Sequence, residues 1–146
     1  MSFQDVIENI KETLTGDAAL RSYLIAAFGK ELTVTTGYRV RVEIGLEQLP
    51  YVLLTRPDTE KDFVSGGRDG KHTVRIYFGF YAENKEEAAK HLIRIEELID
   101  DALLKDYTRG GHAIWTHPTL SSNDEGRHHP TYFFVSDIEI LHRRMG

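Results

Sequence analysis

From His72 to Tyr81 the chain alternates without a break. Val74, Ile76, Phe78 and Phe80 are large and apolar, and Thr73, Arg75, Tyr77 and Tyr81 stand among the intervening positions. Successive strand residues point to opposite faces, so this spacing predicts a strand with one face sealed against a core. Three residues beyond Tyr81 the period changes to that of a helix. Asn84 provides a cap, with Glu87 three positions on. Ala88, Leu92, Ile95, Ile99, Ala102 and Leu103 then return on one stripe, and Glu86, Lys90, Arg94, Glu97 and Asp101 on the other. An amphipathic helix over 85–104 must bury its stripe, and the sealed face of the preceding strand is the natural place.

The remaining segments fit this plan. Ser2 and Asp5 have capping-box spacing before Phe3, Val6, Ile7, Ile10 and Leu14, which predicts a helix over 3–14 ended by Gly16. Asp17 can cap a second helix carrying Leu20, Leu24, Ala27 and Phe28, with Gly29 as its stop. Tyr38, Val40, Val42 and Ile44 alternate with Arg39, Arg41 and Glu43 as in a strand with one buried face. After Pro50, the run Tyr51-Val52-Leu53-Leu54-Thr55 is nearly continuous and apolar, as in a strand covered on both faces. Residues 57–70 are polar and glycine-rich around a Phe63-Val64 island, and read as a long connection. Residues 113–116 form a short strand candidate, and 119–130 a polar stretch. In a last strand over 131–142, Tyr132, Phe134, Ile138 and Ile140 share one face, with Val135, Asp137, Glu139 and Leu141 on the other. The expected fold is α+β: N-terminal helices, then a small mixed, mostly antiparallel sheet with one long helix packed on one face.

The 146 residues suit one domain. The chain has no cysteine, which excludes disulfide and thiolate chemistry. Its 23 acidic and 18 basic residues give a net charge of −5, against the basic excess of a nucleic-acid binder. No sequence-specific nucleic-acid partner is expected. No apolar run approaches the ~20 residues of a membrane span, and Met-Ser-Phe-Gln-Asp has no signal-peptide character. The expectation is a cytoplasmic protein, or one built into something assembled there, with no membrane partner.

The chemistry-bearing residues do not converge. Ser65-Gly66-Gly67-Arg68-Asp69-Gly70-Lys71 has Ser65 where a phosphate loop needs its first glycine and His72 where it needs the hydroxyl; it also precedes a strand. His112, His117, His128 and His129, with Asp124 and Glu125, offer nitrogen and oxygen ligands but lack the helical i, i+4 spacing that aims two imidazoles together. The pairs Glu86/Glu87, Glu96/Glu97 and Asp100/Asp101 lie on the amphipathic helix and read as its solvated face. Ser121-Ser122 lacks a nucleophile-elbow pattern. Trp115 reads as a core or interface anchor. Arg39, Arg41, Arg56, Arg68 and Arg75 read as an outward sheet face. Asp137 and Glu139 share a strand face and suit edge protection or a polar subunit contact. No catalytic residue, metal or cofactor is expected.

The order of parts resembles a known family. Leu49-Pro50-Tyr51-Val52-Leu53-Leu54, a long charged connection, the aromatic strand 72–81, the helix with Glu96-Glu97-Leu98-Ile99-Asp100-Asp101-Ala102-Leu103 and the ending Asp137-Ile138-Glu139-Ile140-Leu141-His142-Arg143-Arg144 follow in sequence. Together they look like the tail-terminator (tail-completion, minor tail protein U-like) proteins of long-tailed bacteriophages and prophages. The resemblance implies a non-enzymatic subunit that forms a hexameric ring, caps the tail tube and meets a head-completion or connector protein. It implies a protein of the host cytoplasm during assembly and of the virion tail afterwards. By position, Asp58, Lys61, Asp62, Phe63, Arg68 and Asp69 would then make subunit or tail-tube contacts, with Asp137 and Glu139 beside them. The segment 119–130 is a second contact candidate. Ring closure needs unlike patches to meet, and the arginine-bearing sheet edge and the acidic helix 85–104 are the expected pair. The alternatives are another phage neck protein, or a small enzyme or ligand-binding module.

Overall fold

The computed structural model describes residues 2–37, 49–61 and 69–143. Helices α1 (Phe3–Gly16) and α2 (Ala18–Phe28) lead into β1 (Thr33–Thr36). Then come β2 (Tyr51–Lys61), β3 (Asp69–Tyr81), α3 (Lys85–Leu104), β4 (Trp115–Asn123) and β5 (Thr131–Arg143). The strands form one sheet in the order β1-β2-β3-β5-β4, with β1 parallel to β2 and every other pair antiparallel. This is the expected α+β fold with a mixed sheet. No helix among the described residues is long and apolar enough to cross a membrane.

All three helices pack on one face of the sheet. Val6, Ile7, Ile10 and Leu14 of α1, Leu20 and Leu24 of α2, and Ala88, Ile95, Leu98, Ile99 and Leu103 of α3 share one core with the sheet. The sheet contributes Val34, Val52, Leu54, Val74, Ile76, Phe78, Phe80, Tyr132, Phe134, Ile138 and Ile140. At its centre Phe78 and Phe134, paired across β3 and β5, stack with ring centroids 5.2 Å apart. Burying side chains of this size stabilises by about 1.5–3 kcal/mol each.

The helix ends follow the expected chemistry. Ser2 and Asp5 close a reciprocal capping box on α1. Asn84 accepts from the backbone N–H groups of Glu86 and Glu87. Gly29 ends α2 at φ 71°, a left-handed conformation that suits glycine. Asp17 caps α2 by accepting from the Leu20 N–H, and also accepts from Lys105 Nζ at 2.8 Å, just past α3. One carboxylate thus joins the start of α2 to the end of α3. Burial acts to raise the Asp17 pKa, but the Lys105 and Leu20 hydrogen bonds outweigh it, and the group lies below the usual carboxylate range. The same end of α3 has a closure that its sequence pattern did not signal. Arg109, fully buried with φ 51°, turns back and donates from Nη2 to the carbonyls of Leu103 and Asp106. The Leu103 carbonyl lies in the last turn of α3, where a helix end leaves acceptors without backbone donors.

Three boundaries differ from the sequence expectation. The alternation at Tyr38–Ile44 lies outside the described residues, and β1 is a different, four-residue strand before it. The connection expected over 57–70 is largely strand, because β2 runs on to Lys61 and β3 begins at Asp69. Pro57 does not stop β2 for two reasons. The register shifts between Thr55 and Asp58 in a bulge, and β1 pairs only with Tyr51–Leu54, so the missing N–H of Pro57 interrupts no ladder with β1. The strand expected at 113–116 is instead β4, which takes in residues 119–123 of the polar stretch. As an edge strand it has one neighbour, and its outer half is exposed, so it shows little apolar alternation.

Asp17→Ala removes the α2 cap and the tie to Lys105 together. It is expected to lower the unfolding free energy by about 1–2 kcal/mol in urea titrations, and Asp17→Asn, which keeps a capping oxygen, by less.

Candidate interaction surface

The second face of the sheet carries none of the described helices. The ladder registers sort its residues into transverse rows. Leu53, Tyr77, Val135 and Ser122 form one row, and Tyr51, Gly79 and Phe133 the next. Leu49, Tyr51 and Leu53 are buried and pack with Tyr77 and Tyr81 in a second apolar cluster, separate from the main core. The Tyr51–Thr55 run is therefore covered on both faces, as its composition suggests. Gly79 makes this packing possible. The Phe133 ring opposite lies so close that a Cβ on Gly79 would stand 2.9 Å from Phe133 Cε1 and 3.3 Å from Leu49 Cδ2.

Beyond this apolar half the face becomes charged. Thr55, Arg75, Asp137 and Leu120 form the dividing row. Arg75 grips Asp137 with two hydrogen bonds, Nε at 2.8 Å and Nη2 at 3.1 Å. The bond Arg75 gives to Asp137, then one it gives to Tyr77, raises the Arg75 pKa further above its ordinary value. The next rows hold Asp58, Thr73, Glu139 and His117, then Glu60, Lys71, Leu141 and Trp115. Lys71 pairs with Glu60 at 3.0 Å, and this bond first, with Glu139 behind it, raises the lysine pKa. Leu120 is the most exposed large apolar side chain in the described structure, at 66 %.

Strands β2 and β4 are both bulged at the dividing row. In β2 the shift falls between Thr55 and Asp58, opposite Arg75 and Thr73. In β4 it falls between Pro118 and Leu120, opposite Ile138 and Asp137. Bulges bend a strand and increase its twist, so the sheet is creased along the line held by Arg75 and Asp137.

The contact residues expected from sequence divide accordingly. Asp58, Asp137 and Glu139 lie together on the charged half of this face. Asp137 is occupied by Arg75. The backbones of Lys61 and Asp69 are in ladders, opposite Gly70 and Arg143, and do not belong to a loop. Asp62, Phe63 and Arg68 lie outside the described residues.

The expected arginine face is corrected at Arg56. It precedes the bulge and lies on the helix side, 5.5 Å from the Phe3 ring centroid. Arg39, Arg41 and Arg68 fall outside the described residues, and Arg75 sits on the central strand in its own ion pair. The pairing of an arginine-bearing edge with the acidic helix therefore has no basis among the described arginines.

His117, His128 and His129 also disperse. His129 Nδ1 bonds the Tyr132 hydroxyl, His128 stands edge-on to Phe133, and His117 lies beside Trp115. Among the described residues no three His, Asp or Glu side chains gather as metal ligands do. No family model matches the chain, and no curated protein matches its sequence.

Gly79→Val is expected to displace Phe133 and cost about 1–3 kcal/mol of stability in denaturant. Thr73→Val on the same strand and face should stay within about 0.5 kcal/mol of the parent. Equal effects from the two changes would show that the Gly79–Phe133 packing is unimportant.

Proposed function

We propose that this chain is a non-enzymatic assembly subunit of a long-tailed phage or prophage tail, of the tail-terminator kind. In this reading it self-associates as a ring, caps the tail tube and meets a head-completion or connector protein. It is made in the host cytoplasm and ends in the virion tail.

The observation that carries this reading is the sheet face that bears no described helix. Its charged half carries two ordered ion pairs beside the exposed Leu120, and its other half carries Tyr77 and Tyr81 against the buried Leu49, Tyr51 and Leu53. Interfaces between subunits are enriched in such aromatic residues and arginine. The succession of parts supports it as well: a capped N-terminal helix, the Leu49–Leu54 run, the aromatic strand, the capped acidic helix and the terminal strand. Charged rows at one end of such a face suit the fixing of register between copies.

The test is sedimentation velocity and negative-stain imaging of the full chain, alone and with a tail-tube protein. Closed rings of uniform diameter are expected in at least the second condition. Leu120→Glu should weaken self-association at least tenfold while leaving the circular dichroism spectrum unchanged. A chain that stays monomeric at every concentration, with tube protein present, would exclude the proposal.

A further inference from the structure

The strongest chemistry outside the open face lies on the helix side, where the first turn of α1 meets the end of the sheet. The Phe3 ring lies flat on the His72 imidazole, with centroids 3.7 Å apart and planes 12° apart. His142, from the neighbouring strand, meets Phe3 edge-on at 5.6 Å and His72 at 5.7 Å. The bulge in β2 brings Arg56 to the same place. Its Nη1 approaches His72 Nδ1 at 3.5 Å, and Thr59 Oγ1 approaches the same nitrogen at 3.4 Å. His72 and His142 are 7 % and 4 % exposed. Gly70 keeps the place clear: a Cβ there would stand 3.1 Å from His72 Nε2.

We infer that this cluster is a proton-operated latch, in which an uncharged His72 holds the N-terminal turn of α1 against the sheet and its protonation releases that turn. A guanidinium can only donate, so the nitrogen facing Arg56 must keep a lone pair. Protonation at Nδ1 removes that acceptor and sets a buried imidazolium directly against the exposed Arg56 guanidinium. Among the described residues the surrounding elements supply no compensating charge. From β2 come Arg56 and Thr59, and from β5 comes His142. Glu60, Glu139 and Asp58 lie on the opposite face of the sheet, where Glu60 pairs with Lys71. On α1 the nearest acid, Asp5, is exposed and accepts from the Ser2 N–H.

The energetics run in the same direction. Burial first, then Arg56 and His142, lowers the His72 pKa from 6.5 to about 4. The unfolded or released chain therefore binds more protons than the latched one between those values. The latch is complete above about pH 6.5 and weakens as the pH falls toward 4. A protonated imidazole could in principle be attracted by the Phe3 ring, but Arg56 already stands over that ring, and an attraction of this kind is small beside the cost of an unpaired buried charge.

The test uses the full chain, with imidazole carbon shifts and amide hydrogen exchange followed from pH 7.5 to 4. His72 is expected to stay neutral well below pH 6. Its protonation should coincide with at least a tenfold loss of protection in the first turns of α1, at Val6 and Ile7, while Ile95–Leu103 of α3 stay protected. His72→Phe keeps the ring stack without the proton site and should make α1 protection independent of pH across this range. If that variant fails to fold, Phe3→Ala serves instead: α1 should lose protection at neutral pH, and His72 should titrate closer to 6.5. Titration of His72 at its ordinary value without any change in α1 would overturn the proposal. So would simultaneous loss of α1 and α3 protection, or an unchanged pH response in His72→Phe.

Discussion

Pairing between β3 and β5 organises the molecule. Every residue from Asp69 to Tyr81 has a partner between Thr131 and Arg143, without a bulge. Because the register is unbroken, Val74, Ile76, Phe78 and Phe80 line up with Ile138, Ser136, Phe134 and Tyr132 on one side. A slip of one residue would turn all of these outward. The helices pack on the apolar plate that results, and β1, β2 and β4 extend it. Helix α3 connects to β3 through only three residues, Ala82 to Asn84, which places its N-terminus beside the plate it covers.

Strong periodicity made most of this plan legible in the sequence. The strand 72–81, the helix 85–104 and the capped helix at the N-terminus each repeat an apolar stripe over several turns or pleats, and each was found. What escaped was set by pairing and not by pattern. Thr33–Thr36 is too short and polar to alternate visibly. Pro57 looked like a strand stop because its neighbours in the sheet cannot be read from its neighbours in the chain. Arg109 is a single residue whose role depends on where α3 ends. On the open face, Asp58, Asp137 and Glu139 were recognisable as polar strand or connection residues. Their grouping required the ladder registers: the bulge resets the alternation at Asp58, while Arg56 stays in phase with Val52 and Leu54 on the helix side.

The two sides of the sheet place their charges differently. On the helix-free side, Arg75 with Asp137 and Lys71 with Glu60 are complete pairs, and Asp58 and Glu139 in the row between them leave that half of the face acidic. On the helix side, Arg56 is a cation beside an aromatic ring and an imidazole. A proton added to the carboxylates of the first side loosens ion pairs, whereas a proton added to the imidazole of the second sets like charges together.

The crease through Arg75 and Asp137 also bears on how the chain tolerates changes in length. Each bulge contains one residue more than the partner strand, and the pairing beyond it is the pairing a regular ladder would have without that residue. Removing Pro57 or Thr119 would therefore leave every residue beyond that point opposite its present partner and on its present face. Only the local bend and twist would go. These two positions are the places where β2 and β4 hold a spare residue.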